Sequence, residues 1–325
     1  MSPMTAPAPL EGLRPVLDDL AAATGAGPAE LVALVERAVA DTHARLHPGE
    51  PPVEARFDPV AGSVRLTRVA HDGGVEVVPQ GSELLRQSAL AVRSAVTALL
   101  REAERSRTIR EGSARRGELV DAIVERHDGD LWWLRVDDLS ALLPPEEQIP
   151  GERLERNHHL KVVVVEVRRR PRDAVLVVSR SRRELLRRLL EQEVPELSTG
   201  QVVVRAMARE PGRRSKVAVD APLGTIDAEG ACIGPRGVRI RAVVAELGDE
   251  QVHVVGWSAD PATFVARALG PAQVTAVELD EETHTAHVVV PDSQLSLAIG
   301  RSGENARLAA RLTGWRIDIR GEGQR

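Results

Sequence analysis

The stretch Ala231-Cys232-Ile233-Gly234-Pro235-Arg236-Gly237 is followed, 66 residues later, by the similar stretch Leu297-Ala298-Ile299-Gly300-Arg301-Ser302-Gly303. Each stretch precedes a helical pattern and then a short strand pattern, and each follows a helix and two strands. An element order that occurs twice indicates a structural repeat. The sequence therefore predicts two small α+β domains in tandem, each with an Ile-Gly-x-x-Gly loop between two helices.

The repeated loop has the chemistry of a phosphate-binding element. Glycines permit a sharp turn and leave no Cβ to block a close backbone approach. The helix that follows the loop points its free N–H groups and the positive end of its dipole outward. Arg236 and Arg301 add positive charge within the loops. One such loop also fits an ordinary helix–turn–helix, but two copies in the same order favour tandem KH domains, which hold about four nucleotides of single-stranded RNA.

The segment before the repeat predicts a small β-barrel. Between about residues 112 and 180, strand patterns alternate with turn formers such as Asp128-Gly129-Asp130 and Pro171. About five short strands in ~70 residues fit a barrel of the OB type. We expect strands at Glu118–Arg126, Leu131–Val136, Lys161–Arg168 and Ala174–Ser179, and a turn at Asp137–Ala141.

The first hundred residues predict a head of mixed α and β structure. Apolar residues recur at helical spacing around Leu10–Leu20 and again after Pro28. Alternating patterns at Val53–Phe57 and Ser63–Val69 predict a hairpin, and Val75–Val78 a further short strand. A long helix is expected from about Ser82 to Arg105.

Composition limits the functions that such a chain can have. Hydrophobic residues make up 42% of the chain, which excludes a wholly disordered protein. Aromatic residues make up only 2%, which argues against RNA-binding modules that stack bases on aromatic rings. The net charge of -5 means that any site for a polyanion is local. One cysteine, Cys232, excludes an internal disulfide or a multi-cysteine zinc site.

The sequence shows no signal peptide and no run long enough to span a membrane, so we expect a cytoplasmic protein without a membrane partner. It also shows no Walker loop, nucleotide-binding GxGxxG or Gly-x-Ser-x-Gly motif. His43 and His47 are four residues apart but have no third ligand in view. We therefore expect no catalytic residue, no cofactor and no metal.

A concentration of arginine between Arg168 and Arg188 is the main local departure from the acidic balance. This stretch contains nine arginines and only two acids, Asp173 and Glu184. A solvated hairpin and helix face would explain them. Because the neighbouring domains have nucleic-acid-binding patterns, we favour a surface along which RNA runs. Arg213, Arg214 and Lys216 would extend this surface.

The chain resembles the NusA family of bacterial transcription termination/antitermination proteins over about residues 10 to 320. The resemblance is most specific over the two repeats and lower in the first hundred residues. The stretches that carry it are Leu142–Glu152, Val177–Arg180, Ala208–Val219, Ala231–Arg241, Val289–Arg301 and Leu308–Trp315.

The resemblance implies an α+β multidomain fold. Residues 1–110 would form a head that binds RNA polymerase, and 111–180 an OB-type barrel like that of ribosomal protein S-one. Residues 181–258 and 259–325 would be the first and second KH domains, of the prokaryotic (type II) order. Two departures stand out. The family usually has Gln-Asn where this chain has Glu304-Asn305, and Trp132 and Trp133 are the only aromatic residues on the barrel strands.

The function implied is that of a non-enzymatic, monomeric RNA-binding elongation factor. It would bind polymerase and nascent single-stranded RNA, modulate pausing, termination and antitermination, and have other elongation or antitermination factors as candidate partners. The alternatives are a KH-containing ribosome-assembly factor and an RNA-degradation component. The residues expected to contact RNA are Gly234, Pro235, Arg236, Gly237, Gly300, Arg301, Ser302, Gly303, Asn305, Arg180, Arg213, Arg214 and Lys216.

Overall fold

The structure, a computed structural model, describes residues 8–9, 17, 20–22, 25–70, 73–171, 173–248 and 250–324. The chain divides into two compact units. The first holds the described residues up to Glu111 together with those of 169–174, and the second holds Gly112–Arg168 and the described residues from Val175 onward. No helix in the described part of the chain is long and apolar enough to cross a membrane.

The first unit combines a four-stranded antiparallel sheet with two long helices. In the sheet, β3 (Ser63–Val69) pairs with the other three strands, β1 (Ala8–Pro9), β2 (Glu54–Asp58) and β4 (Val75–Val77). The predicted hairpin and short strand are confirmed. The core contains alternate residues of the hairpin, such as Phe57 and Leu66.

The two helices of this unit are α1 (Pro28–Leu46) and α2 (Ser82–Ala114). On α1 the predicted apolar face is buried at Leu31, Val35 and Val39. Helix α2 runs nine residues beyond the predicted end at Arg105, where apolar periodicity stops. Ion pairs along the helix support this last part, including Arg107 Nε to Glu111 Oε1 at 2.8 Å. The helical pattern at Leu10–Leu20 lies mostly outside the described residues, although Leu17 and Leu20 are buried.

The second unit begins with a closed five-stranded barrel in the order β5-β6-β7-β9-β8. This order and its parallel β7–β9 pair fit the predicted OB-type barrel. The turn predicted over Asp137–Ala141 was wrong at its end, because strand β7 begins at Leu139. A strand of five residues is too short to show a clear alternating pattern in the sequence, although Leu139, Ala141 and Leu143 of β7 point into the core. The strands are β5 (Leu119–Asp128), β6 (Leu131–Val136), β7 (Leu139–Leu143), β8 (His159–Arg169) and β9 (Ala174–Ser179).

The two predicted repeats follow the barrel and share one topology. In each, the first two strands are antiparallel and the third runs parallel to the second. The first repeat has α3 (Arg183–Glu193), α4 (Pro195–Ser198), β10 (Val203–Glu210), β11 (Arg214–Asp220), α5 (Ala228–Ile233), α6 (Val238–Glu246) and β12 (Gln251–Gly256). The second has α7 (Pro261–Ala268), β13 (Ala276–Asp280), β14 (Thr285–Val290), α8 (Leu295–Ile299), α9 (Glu304–Thr313) and β15 (Arg316–Gly321).

Continuous apolar packing joins the parts of the second unit. Barrel residues Ile149 and Val163 share a core with Val217 and Leu186 of the first repeat. A further core combines sheet residues of the first repeat, such as Ala218, with helix and sheet residues of the second. The two Gly-x-x-Gly loops therefore belong to one packed body.

Candidate nucleic-acid interface

The two Gly-x-x-Gly loops adopt the same backbone conformation. Gly234 has φ 75° and ψ 168°, and its counterpart Gly300 has φ 78° and ψ 170°. The third residue of each loop is left-handed although it is not glycine: φ is 53° at Arg236 and 54° at Ser302. Such a conformation is uncommon for residues with a side chain, so its presence at both equivalent positions points to a shared requirement of the loop.

Close packing explains why the first position of each loop is glycine. A Cβ on Gly234 would lie 2.7 Å from Cγ of Arg239, and one on Gly300 would lie 2.8 Å from the backbone nitrogen of Asn305. The last glycine closes the turn, since Gly303 N donates to Gly300 O at 3.1 Å. The first loop closes in the same way, at 2.9 Å.

Arginines of the helices that follow the loops donate hydrogen bonds to backbone carbonyl oxygens in and beside the loops. Arg307 Nη1 donates to the carbonyl oxygen of Ser302 at 3.4 Å. Arg241 Nη1 donates to the equivalent carbonyl of Arg236. In the first repeat Arg239 Nη1 also donates to Ala231 O at 2.6 Å and pairs with Glu196 at 2.8 Å. These three arginines were not among the site residues predicted from the sequence, although Arg241 and Arg307 occur at the same spacing after their loops, which is a signal in the sequence.

The loop tips are open to solvent. Pro235, Arg236, Arg301 and Ser302 are all exposed. Helices α6 and α9 begin directly after the loops, so the positive end of each helix dipole lies at a loop. The first N–H of each helix donates within the loop, from Val238 to Pro235 O and from Glu304 to Arg301 O. The loops can therefore accept a phosphate while Arg236 and Arg301 supply charge.

Apolar side chains flank both loops and are also exposed. Ile233 and Val238 expose 38% and 54% of their surface beside the first loop, and Leu297 and Ile299 expose 46% and 37% beside the second. Such surfaces can pack against the faces of nucleobases when the phosphates lie on the loops. Aromatic stacking is not needed for this mode of contact.

Asn305, predicted to contact RNA, is only 2% exposed. Its Nδ2 donates to Leu269 O at 2.9 Å and to Ala298 O at 3.0 Å. The side chain thereby ties the start of α9 to the ends of α7 and α8. The structure corrects its role from RNA contact to positioning of the second loop, and Asn305 occupies the place that Arg239 has in the first repeat.

Arg180, also predicted to contact RNA, is 2% exposed. It forms ion pairs with Glu152 of the barrel and with Glu246 at the end of α6, the latter at 2.7 Å. It also donates to the carbonyl oxygens of Lys161 and Glu246, both at 2.8 Å. Arg180 therefore connects the barrel to the first repeat and is not available to a phosphate, which corrects the prediction.

Lys216, the third correction, is fully buried and its Nζ donates to Gly270 O of the second repeat at 2.7 Å. Burial, together with the charge of Arg214, lowers the pKa of Lys216 to about 8. Burial and the charges of Lys216 and Arg214 lower the pKa of neighbouring His253 to about 4. Lys216 joins the two repeats and does not extend an RNA-binding surface.

Arg213 and Arg214 lie beside the second loop, where Glu304 partly neutralises them. Arg213 Nε is 3.2 Å from Oε1 of Glu304, and Arg214 Nη1 is 3.7 Å from Oε2. The side chain of Arg213 remains 57% exposed, while that of Arg214 is 26% exposed. Arg213 therefore stays a candidate for RNA contact, and Glu304, the departure from the family, reduces the charge it offers.

The arginine concentration at 168–188 is largely paired within the fold. Arg182 Nη2 is 2.5 Å from Glu147 Oε1, and Arg188 Nη1 is 2.7 Å from Glu191 Oε2. Arg168, Arg170 and Arg183 lie within 4 Å of Glu166, Asp173 and Glu184 respectively. Arg172 lies outside the described residues. Acids distant in sequence supply part of this pairing, which a local charge count misses, so the expected continuous basic surface is weaker than the sequence suggests.

The barrel presents two tryptophans with basic neighbours. Trp132 stacks on His127 with ring centroids 4.1 Å apart, and Arg126 lies 4.3 Å from the centre of the Trp133 ring. Both indoles are half-buried. One face of each ring is therefore already covered from within the barrel.

The described residues hold no group of three or more metal-ligating side chains. Cys232 is buried beside the first loop, and burial raises the pKa of its thiol to about 11, so it behaves as an apolar core residue.

Comparison with known protein families supports the interpretation of the two repeats as KH domains. The description "NusA-like first KH domain" matches residues 180–257, and "NusA-like second KH domain" matches residues 261–325. A protein of Mycobacterium tuberculosis named transcription termination/antitermination protein NusA is 44% identical over 73% of this chain and 71% of its own length. The chain belongs to the NusA family.

Other NusA proteins show the same relationship. The NusA of Halalkalibacterium halodurans is 41% identical over 77% of this chain and 65% of its own length. The NusA of Rickettsia conorii is 32% identical over 95% of this chain and 67% of its own length. The chain thus spans about two thirds of the length of these NusA relatives. The predicted tandem KH fold is confirmed.

Proposed function

We propose that this chain is an RNA-binding transcription elongation factor that modulates pausing, termination and antitermination. The KH pair binds nascent single-stranded RNA, and the head, residues 1–110, binds RNA polymerase. The names of the relatives support the role in termination and antitermination. The single observation that carries RNA binding is the pair of exposed loops with matching backbone angles on one packed body.

The affinity for RNA comes from the phosphate backbone. Each loop places the positive end of a helix dipole beside one stretch of the RNA backbone, and Arg236 or Arg301 adds a charge-assisted contact. Phosphate contacts of this kind position the strand, and the flanking apolar residues pack against bases. We include Arg213 in this surface and leave out Arg180, Lys216 and Asn305.

Two loops on one packed body also act together. Once one loop holds an RNA strand, the second meets the next stretch of the same strand at high effective concentration. The two repeats are packed together, because sheet residues of the first repeat, such as Ala218, are buried in the core of the second. Occupation of both loops then gives higher affinity than the sum of two separate weak sites would suggest.

The proposal includes a cytoplasmic location. It includes no catalytic step and no cofactor. It also keeps the division into head 1–110, barrel 111–180 and KH domains 181–258 and 259–325.

Transcription by purified bacterial RNA polymerase on a template with a pause site and an intrinsic terminator tests the proposal. Adding the chain should change pause duration and the terminated fraction, and the chain should co-purify with polymerase and not with small ribosomal subunits. Labelled RNA incubated with the chain and phosphate should keep its length. Unchanged transcription would refute the proposal, and shortened RNA would support a degradative enzyme instead.

A further inference from the structure

The sheet of the first KH domain is covered on both faces. Its own helices pack on one face, and helices of the second domain pack on the other: α9 lies on β10 and β11, and α7 lies on β12. Ala208, Ala218 and Val255 on this second face are buried in a core shared with the second domain. The hydrogen bond from Lys216 to Gly270 joins the same two surfaces.

The sheet of the second domain has an equivalent face that nothing covers among the described residues. The registers define the equivalence, because Val219 pairs with Gly256 and Val290 pairs with Gly321 at the same ends of the two sheets. Three residues earlier, the first sheet has the row Ala208–Lys216–His253. The second sheet has the row Glu278–His287–Asp318 at the same place.

The open face is concave and acidic. It lines a groove of about 830 Å³ that includes four acids, Glu278, Asp280, Glu281 and Glu282, and one arginine, Arg320. The side chains of His287 and Asp318 in the middle of the face are 41% and 40% exposed. The hydrogen bond from the Thr283 hydroxyl holds the pKa of Asp280 below its usual range, so this carboxylate is charged at neutral pH.

The covered face shows what such a surface holds. At the end of β10, Glu210 accepts hydrogen bonds from Arg307 at 2.6 and 3.1 Å and lies 3.3 Å from Arg311, one turn further along α9. Asp280 lies two residues after Glu278, just as Glu210 lies two residues after Ala208. The acid that pairs with a helix carrying arginines four residues apart is therefore retained on the open face, and Glu278 adds further negative charge. Asp318 is already paired with Arg320, whose Nη2 lies 2.8 Å from Asp318 Oδ2.

We propose that the open face of the second KH sheet, around Glu278 and Asp280, binds a basic helix of a protein partner. The helix carries Arg or Lys residues at positions i and i+4, and it lies on β13 and β14 as α9 lies on β10 and β11. The acidic face repels a nucleic-acid backbone, so its occupant differs from the RNA proposed for the loops. A second copy of the chain could occupy this groove only if it placed a basic helix there.

A peptide with the sequence of α9 provides the probe. A fluorescent alanine-based helix containing the sequence Glu304–Thr313 is titrated with the full chain at low salt, and its anisotropy is measured. A matched peptide carries Arg307→Glu and Arg311→Glu. The arginine peptide should bind at least about 10-fold more tightly than the glutamate peptide, because two charge pairs change sign.

Two protein variants with the same change in charge locate the binding site. Glu278→Lys with Asp280→Asn alters the open face, and the asparagine keeps an oxygen for the turn at Thr283. Glu155→Lys with Asp130→Asn alters exposed barrel residues. The first variant should weaken peptide binding by about 5-fold or more and the second by less than about 2-fold, with thermal melting showing both to be folded.

Three results would overturn the proposal. The two peptides could bind equally, or the barrel variant could lose as much affinity as the variant of the open face. Single-stranded RNA could displace the peptide, which would make the face an RNA site. Sedimentation could show a dimer that Glu278→Lys with Asp280→Asn abolishes, which would make a second copy the occupant.

Discussion

Replacing Arg180 by methionine separates a structural role from an RNA contact. Methionine approximately keeps the length of the side chain and removes its charge and donors. In the structure the guanidinium pairs with Glu152 and Glu246 and donates to two carbonyl oxygens. The carboxylates left behind are 17% and 24% exposed, so water can reach them only in part.

The expected loss of stability follows from these contacts. Removing one partner of a buried ion pair costs about 3–5 kcal/mol, because the remaining charges are left without compensation. Spread over a unit of about 200 residues, where 1 kcal/mol corresponds to roughly 2–4 °C, this lowers the melting temperature by about 10 °C. Adding Glu152→Gln and Glu246→Gln to the variant should restore part of the loss, since these changes remove the uncompensated charges.

Two measurements on the same protein decide the matter. Urea unfolding should show the lower stability, and RNA titration at a temperature where the variant is folded should show affinity within about 3-fold of the unchanged chain. If Arg180 contacted a phosphate directly, its loss would make the salt dependence shallower. The magnitude of the slope of log affinity against log salt would decrease by about 0.7 for single-stranded RNA. Unchanged stability together with that lower slope would refute the structural role of Arg180.

Three further predictions concern the loops and the contact between the KH domains. Because the pKa of Lys216 is about 8 in the fold against 10.5 ordinarily, the unfolded chain holds more protons between these values. This group should therefore raise the free energy of unfolding by up to ~3 kcal/mol from pH 8 to 10.5, and Lys216→Met should remove that rise in urea titrations. Gly300→Ala should destabilise by ~2 kcal/mol more than Gly303→Ala, whose added Cβ would meet nothing within 4 Å; equal melting temperatures would contradict this. Glu304→Gln should release Arg213 and tighten RNA binding about 3-fold at low salt, with a steeper salt dependence; weaker binding would contradict it.

The sequence was sufficient for features that depend on local pattern. The repeated Ile-Gly-x-x-Gly loops, the strand pairs before them and the helices after them all follow from periodicity and glycine placement. Strand β7 was missed because Leu139–Leu143 is short and directly follows the turn at Asp137-Asp138. Its inward alternation becomes meaningful only when the barrel closes.

The site was predicted less completely, because charge in a sequence does not reveal burial. Arg180 meets Glu246 at a separation of 66 residues, and Lys216 meets Gly270 at a separation of 54. Neither partner is suggested by spacing or composition. Asn305 lies within the recognised motif, yet its amide serves the backbone of its own domain. Residues at the loop tips were easier to assign, since a tip between two helices is usually exposed.

The most direct test of the account is the affinity for single-stranded RNA after each loop is altered. Pro235→Asp with Arg236→Asp changes the first loop, and Arg301→Asp with Ser302→Asp changes the second by the same charge. Gln273→Asp with Arg316→Asp, at exposed positions outside the loops, is the matched control. Each loop variant should lose about 10-fold in affinity and the combined variant about 100-fold or more, while the control stays within about 3-fold. If the combined variant were folded and bound RNA as tightly as the unchanged chain, the loops would not be the RNA-binding site.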